Sequence, residues 1–234
     1  MPRFHDGLAN SDEAARAYDA AFDAAFAELA EGRLEPFARH FAAHRQDPPR
    51  LAWDPPADSL PDPTLRQARV RWDAIRAGRR MPDWRDLHVE SLGVDVVHLA
   101  IVDPLPGAHD FRFALYGSAI SGMALRDYRG ETVRGMGLRT GTPGPMFYRA
   151  TYALCRTRGL PLVTWSAAPP WQPVEGWNRL VLPFTHDEGT GLRFLVCMKA
   201  DGSRTVPDVV AREGMRRLRA DSPAPPLPEA KPRV

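Results

Sequence analysis

Apolar side chains recur along this chain at two spacings, every second residue and every helical turn, and the stretch 94–133 holds both. Val96, Val97, Leu99, Ile101 and Val102 form a nearly continuous run that stops at Asp103 and Pro104. A β-branched run of this kind predicts a strand buried on most of its surface, with His98 inside it. Pro104, Pro106 and Gly107 then force a turn. Beyond it Phe111, Phe113 and Leu115 alternate with Arg112, Ala114 and Tyr116, the period of a strand with one face inward, so the two runs make a hairpin. Gly117 ends the second strand, and Ser118 is placed to cap a short helix through Ile120, Met123 and Leu125, closed by Asp127 to Gly130.

The helical spacing dominates elsewhere. Tyr18, Phe22, Ala25, Phe26 and Leu29 form one stripe of a helix over 11–31, capped by Asn10 or Ser11 and stopped by Gly32. Leu34, Phe37, Ala38 and Phe41 do the same over 34–44. These two faces must be buried on the open side of the sheet, on each other, or on a second subunit. Residues 47–63 show no period and read as a Pro-rich connector, anchored by Leu51 and Trp53. Asp62-Pro63 is a capped helix start, with Leu65, Ala68, Trp72 and Ile75 marking the helix to Ala77.

The Gly- and Thr-rich segment 130–145 reads as loop, and a longer helix follows over 146–157. Three strands, over 162–166, 177–185 and 192–199, complete the sheet; Asp187 to Gly191 turns between the last two. Residues 206–220 predict a final helix with Val209, Val210 and Leu218 on one side and arginines around it, docked on the sheet or on a partner. The remainder to Val234 reads as disordered.

Arg71-Trp72-Asp73-Ala74-Ile75-Arg76-Ala77-Gly78, Met81-Pro82-Asp83-Trp84-Arg85-Asp86, the His98–Asp103 strand, Phe111-Arg112-Phe113 and Leu115-Tyr116-Gly117-Ser118 follow one another in a set order. That order and spacing, over about 65–199, resembles a family of small bacterial single-PAS proteins. Ser118, Ala114 and His88-Val89 depart from the family pattern of Thr, a basic residue and Asp-Pro. The resemblance implies an α+β fold: a five-stranded antiparallel PAS-like sheet, two strands then helices then three strands, with helices across one face and an N-terminal helical extension. The expected organisation is N-terminal helices and connector over 1–62, a PAS-like domain over 63–201, and a C-terminal helix and tail over 202–234.

At 234 residues, with 44% hydrophobic and 26% charged, the chain has the composition of a soluble globular protein. A net charge of +2 is too balanced to imply a nucleic-acid partner. No apolar run reaches the ~18 residues of a membrane helix and none begins like a leader, so a cytoplasmic location is expected. Cys155 and Cys197 are too few for a disulfide scaffold.

Motifs for catalysis are missing from the sequence. Ser118 and Ser121 lack the glycines of a nucleophile elbow, Gly135, Gly137 and Gly141 do not have dinucleotide-binding spacing, and there is no Gly-Lys-Ser/Thr. His40 and His44, four apart on a helix, are the best metal signal, without a third ligand at natural spacing; solvated histidines are the favoured reading and no metal is expected.

The resemblance implies a pocket between sheet and helices, whose candidate ligand-binding residues are Tyr116, Met123, Tyr128, Phe147, Tyr152 and Trp165, although aromatic residues at such spacings also pack ordinary cores. Haem-type members use a histidine on the long helix and photoactive flavin members a cysteine motif before it; 146–157 has no histidine and 127–144 no cysteine, which argues against both cofactors. The expected function is a non-catalytic PAS-type sensor or regulator that binds an unknown small molecule. It forms a homodimer through the N-terminal helices and passes its signal to a downstream protein, without contacting membrane or nucleic acid. The alternatives are a scaffold whose pocket is filled by its own side chains and a cone-fold enzyme resembling nuclear-transport-factor-like isomerases and dehydratases, with His98 and Asp95 or Asp103 as its acid/base pair.

Overall fold

The computed structural model describes residues 6–106, 109–186 and 191–219, with side chains from residue 12 onward. Asn10 and Ser11, expected as caps, lie inside the first helix, which is already under way at Asp6, while the turn over 187–190, Gly107 and the tail after Arg219 lie outside the described residues. In chain order the elements are α1 (Asp6–Ala30), α2 (Glu35–Ala43), β1 (Arg50–Trp53), α3 (Pro63–Arg76), β2 (Leu99–Pro104), β3 (Phe111–Tyr116), α4 (Ser118–Ala124), α5 (Val133–Thr140), α6 (Pro143–Arg158), β4 (Leu162–Ala167), β5 (Gly176–His186), β6 (Gly191–Asp201) and α7 (Asp208–Arg219). The fold is α+β, built on one antiparallel sheet in the order β1-β4-β5-β6-β2-β3. Among the described residues no helix is long and apolar enough to cross a membrane.

Among the described residues six strands stand where the sequence predicts five. The extra one, β1, falls inside the expected connector and pairs Arg50 with Trp165 through Trp53 with Leu162 along the edge of β4. Four residues on a sheet edge, burying only alternate side chains, are too short to show a period. Strand β2 starts at Leu99, later than expected, because Asp95 accepts from the amide of Val97 and folds Val96–His98 into a 3₁₀ turn. His98 therefore sits in that turn, half-buried, and not within the strand. The turn passes so close to Gly117 that a Cβ there would lie 2.3 Å from the carbonyl oxygen of Val97; Gly117, with Ser118 following it, is the residue that precedes α4.

The expected loop over 130–145 contains α5 and the start of α6. Thr132 caps α5 by accepting from the amide of Gly135 at 2.9 Å. Gly137, inside α5, lies against the Tyr18 hydroxyl, where a Cβ would come within 2.3 Å. Its glycine serves close approach of α1 and does not break the helix. Helix α6 begins at Pro143, and proline in a first helical turn removes amide donors that have no intrahelical partner.

Both faces of the sheet are covered, where helices across one face are expected. The inner face, carrying Ala100, Val102, Phe111, Phe113, Val181, Phe194 and Val196, packs under α4, α5 and α6. The outer face, carrying Leu99, Leu180, Leu182, Phe184, Leu195 and Cys197, packs under α3 through Leu65, Ala68 and Trp72. The indole of Trp72 also donates to the Pro183 carbonyl at 3.0 Å. Cys155 and Cys197, both free, belong to opposite faces.

The N-terminal helices pack on the outside of α6 and α5. Phe22 of α1 and Phe37 and Phe41 of α2 are fully buried, the last two against Phe147 at ring separations of 5.4 and 6.1 Å. Their apolar stripes are thus consumed within the chain, and the physical argument that assigned them to a second subunit lapses. Helix α7 docks on α5 and on Trp171, away from the sheet, with Leu218 buried and Gly214 in contact with the Trp171 side chain.

An ion-pair cluster fixes α1. Asp19 accepts from Arg134 Nε and Nη2, the latter at 2.7 Å, and from Arg149 Nη1 at 2.9 Å, while the Arg149 guanidinium lies 3.8 Å over the ring of Phe22. The hydrogen bond from Arg134 is the largest influence holding the Asp19 carboxyl below its usual range; burial opposes it and Arg149 reinforces it. A depressed carboxyl adds stability that is present above its unfolded pKa and is lost as pH falls through the folded value. Asp19→Asn is expected to lower stability at neutral pH by roughly 1 kcal/mol, since the site is partly open to solvent. The gap from wild type should close in acid, as read by urea unfolding at a series of pH values; a gap that does not change with pH counts against this role of Asp19.

Candidate functional site

A cavity of about 40 Å³ lies between the inner sheet face and the crossover helices. Roughly three water molecules fill that space. Trp177 of β5 and Met198 of β6 form its floor, Tyr116 at the end of β3 and Tyr128 after α4 one wall, and Met136 and Tyr148 its roof. The rings of Tyr116 and Tyr128 meet edge to face at 5.6 Å. The Tyr148 hydroxyl shares a 3.0 Å hydrogen bond with Ser166, and the Trp177 indole donates to Gln172 at 2.9 Å. Thr140 donates to the Met136 carbonyl and lies 3.0 Å from the Thr142 hydroxyl, which presents two further hydroxyls to the space.

A fully buried cation stands beside this chamber. Trp177, Arg179 and Val181 share the inward parity of β5, and Arg179 pairs in register with Thr164 of β4 and Met198 of β6. Arg179 is 1% exposed, with its guanidinium carbon 3.1 Å from the centre of the Tyr148 ring and 5.8 Å from that of Tyr152. Among the described residues neither its Nε nor its Nη2 has a hydrogen-bond partner, and the adjacent Thr164 hydroxyl has none either.

A groove of about 350 Å³ opens between α7 and Pro170-Trp171, and it shares Gln46 and Thr142 with the inner cavity. Gln46 donates to the Ala168 carbonyl at 2.9 Å, and its buried side-chain oxygen has no partner among the described residues. Gln46 and Thr142 therefore form a polar partition between outer groove and inner chamber.

Of the six candidates read from the sequence, Tyr116 and Tyr128 line the cavity. Met123 is half-buried and packs on the core without reaching the chamber. Phe147 lies on the opposite side of α6, against α2, and Tyr152 is fully buried between Phe111 and Phe194, with ring centres 5.5 and 5.9 Å away. Trp165 turns away to the sheet edge, where its indole donates to Asp201 at 2.5 Å and Arg50 stacks at 4.5 Å. The sequence reading overlooks Tyr148, Gln46, Trp177 and Arg179. The signal for Arg179 was available: a cation with the same parity as Trp177 and Val181 within a strand otherwise buried.

The other candidate chemistry is dispersed. Asp95 caps the turn before β2, Asp103 is held by Arg193 Nε at 2.6 Å, and neither these nor His98 lines the chamber. The rings of His40 and His44 meet at 4.9 Å, and burial, then the neighbouring His44, lowers the pKa of His40. Among the described residues no group of three or more side chains is arranged to hold a metal ion. A scan against models of known protein families and searches of curated proteins and of solved structures find no match to this chain.

Burial is the main cause that raises the pKa of Tyr116, Tyr128 and Tyr152; neighbouring phenols add to the rise at Tyr116, and Glu131 at Tyr128. Burial also raises Tyr18, and pushes the Cys197 thiol up to about 12. A tyrosine whose folded pKa is raised adds stability that is full below its unfolded value of about 10 and is lost as pH rises further. An alkaline titration followed by phenolate absorbance should show these four tyrosines ionising only together with loss of the fold. Ionisation of Tyr116 or Tyr128 in the folded protein near the ordinary value would overturn this picture of a closed chamber.

Proposed function

We propose that the chain is a PAS-type sensory or regulatory protein of the cytoplasm that binds a small molecule in the chamber between sheet and crossover helices, without catalysing a reaction on it. The observation that carries this reading is the chamber itself, with its three phenols, two threonine hydroxyls and two amides around an apolar floor. Such a set orients a guest through hydrogen bonds while burying its apolar part. The order of elements supports the same reading. Leaving β1 aside, two strands precede α4, α5 and α6 and three follow, which is the order of a PAS domain, and β6 returns to pair with β2. Helices α1, α2, α3 and α7 are then additions around that core.

The packing also supports a route for the signal. A guest entering past Gln46 and Thr142 meets Tyr148 on α6, the helix whose Phe147 carries α2. The groove it passes through is walled by α7. Helices α2 and α7 are thus the elements whose exposure changes when the chamber fills, and a downstream protein would read that change.

Ala124, 3% exposed, lines the chamber from the last turn of α4, so Ala124→Val puts two methyl groups into the void. The expected cost is at the low end of the roughly 1–3 kcal/mol of a small-to-large core change, because the methyls enter a void. In thermal-shift screening against small metabolites, compounds that stabilise wild type should lose their effect on this variant. Compounds that stabilise both proteins equally would place binding elsewhere and defeat the proposal.

A further inference from the structure

Arg179 poses a physical problem that the chamber can solve. Taking a guanidinium out of water carries a large desolvation penalty. The Tyr148 ring over its face returns only part of it. Its Nε and Nη2 form one edge of the planar fork, and elsewhere this protein repeatedly closes that same edge on a carboxylate, as three examples show. Arg193 grips Asp103 at 2.6 and 2.9 Å, Arg134 grips Asp19 with Nη2 at 2.7 Å, and Arg216 grips Glu213 at 2.9 Å from both nitrogens. All three of those arginines are more exposed than Arg179, which lies at 1% with that edge unmatched among the described residues.

Location joins Arg179 to the chamber. Its neighbours along and across the sheet, Trp177 and Met198, are the chamber floor. The Tyr148 ring covers the guanidinium and also lines the chamber, so a single side chain stands between cation and cavity. Tyr148 is held at its tip by one hydrogen bond to Ser166, and the net contribution of a single hydroxyl–hydroxyl bond is modest.

We infer that Arg179 is the recognition group of the chamber and that its ligand is a small carboxylate of a few heavy atoms. The carboxylate takes the Nε and Nη2 edge when the Tyr148 ring swings aside, with the Thr164 hydroxyl donating to it from the adjacent strand. This rests on the chamber being the ligand site. The size limit follows from the volume of about 40 Å³, enlarged by the space the phenol leaves. The charge requirement follows from the fork, which forms a bidentate, charge-assisted pair whose strength grows in a dry interior. Ligand binding then does two things together: it neutralises a buried cation and it moves Tyr148, hence α6.

The test uses the full chain and thermal unfolding at constant ionic strength, with sodium acetate, propionate and pyruvate as probes. Acetamide, chloride, nitrate and phosphate serve as comparisons. A melting temperature that rises with carboxylate concentration, and stays flat with acetamide and chloride, is the expected result. Arg179→Met should melt at or above wild type without added anion, because it removes a buried unmatched charge, and should lose the carboxylate response. If that variant does not fold, Arg179→Lys keeps the cation without the fork and should bind at least about tenfold more weakly. A response to acetamide equal to that of acetate overturns the inference. So does stabilisation by nitrate or phosphate alone, a carboxylate response that persists in Arg179→Met or is undiminished in Arg179→Lys, or silence toward every carboxylate. A neutral compound that stabilises wild type but not Ala124→Val, alongside silence toward carboxylates, removes the role of Arg179 and leaves the chamber as a ligand site. A carboxylate response that ignores both Ala124→Val and Arg179→Met removes both.

Discussion

Thirteen consecutive residues of α6, Pro143 to Cys155, are buried, so this helix has no solvent face over more than three turns. A helix lying on a sheet buries one stripe and leaves the other half to water unless something covers it. Here the cover is supplied by α1 and α2 on the far side and by α5 along the flank. Phe147 faces α2, Tyr148 and Tyr152 face the sheet, and Arg149 reaches out to Asp19 on α1. The N-terminal helices are therefore part of the same core as the sheet, and the cooperative unit extends well beyond the five central strands.

That arrangement explains where the chamber lies. It lies at the N-terminal end of α6, where Gly144 and Pro145 line it, beside Met136 and Thr140 of α5. Aromatic rings from β3, β5, α6 and the loop after α4 meet there and leave a gap they do not fill. Nearby sits Arg179, a buried cation under a tyrosine ring. A core selected only for stability would favour an apolar residue of similar volume at this position. The neighbouring helices are anchored by ion pairs of the ordinary kind, Glu131 with Arg126 and Asp19 with Arg134 and Arg149. Arg179, more deeply buried than any of these arginines, has no such carboxylate among the described residues, and its place beside the chamber gives that a meaning.

Much of the fold was legible in the chain. The hairpin of β2 and β3 followed from an apolar run, a Pro-Pro-Gly turn and a clean alternation. The later strands and the helices with strong stripes, α1, α2, α3 and α7, fell within a few residues of their expected positions. What escaped notice was short or carried misleading composition. Strand β1 has four residues, and α5 contains Gly135 and Gly137, which read as loop until Tyr18 is seen pressed against the second of them. The site was half legible: Tyr116 and Tyr128 line the chamber, while Phe147, Tyr152 and Trp165 point elsewhere, because spacing along a helix or strand says which residues share a face but not what that face meets.

The sequence by itself determined the α+β class, the sites of most elements and the paired helical stripes that had to be buried. Those follow from local periodicity, which each segment carries within itself. Only the tertiary structure decided that the stripes of α1 and α2 are spent inside the chain, that α3 closes the second face of the sheet, and that Arg179 comes to lie under Tyr148 beside a cavity. These depend on contacts between segments far apart in the chain, and no local pattern of apolar and polar residues encodes which two faces will meet.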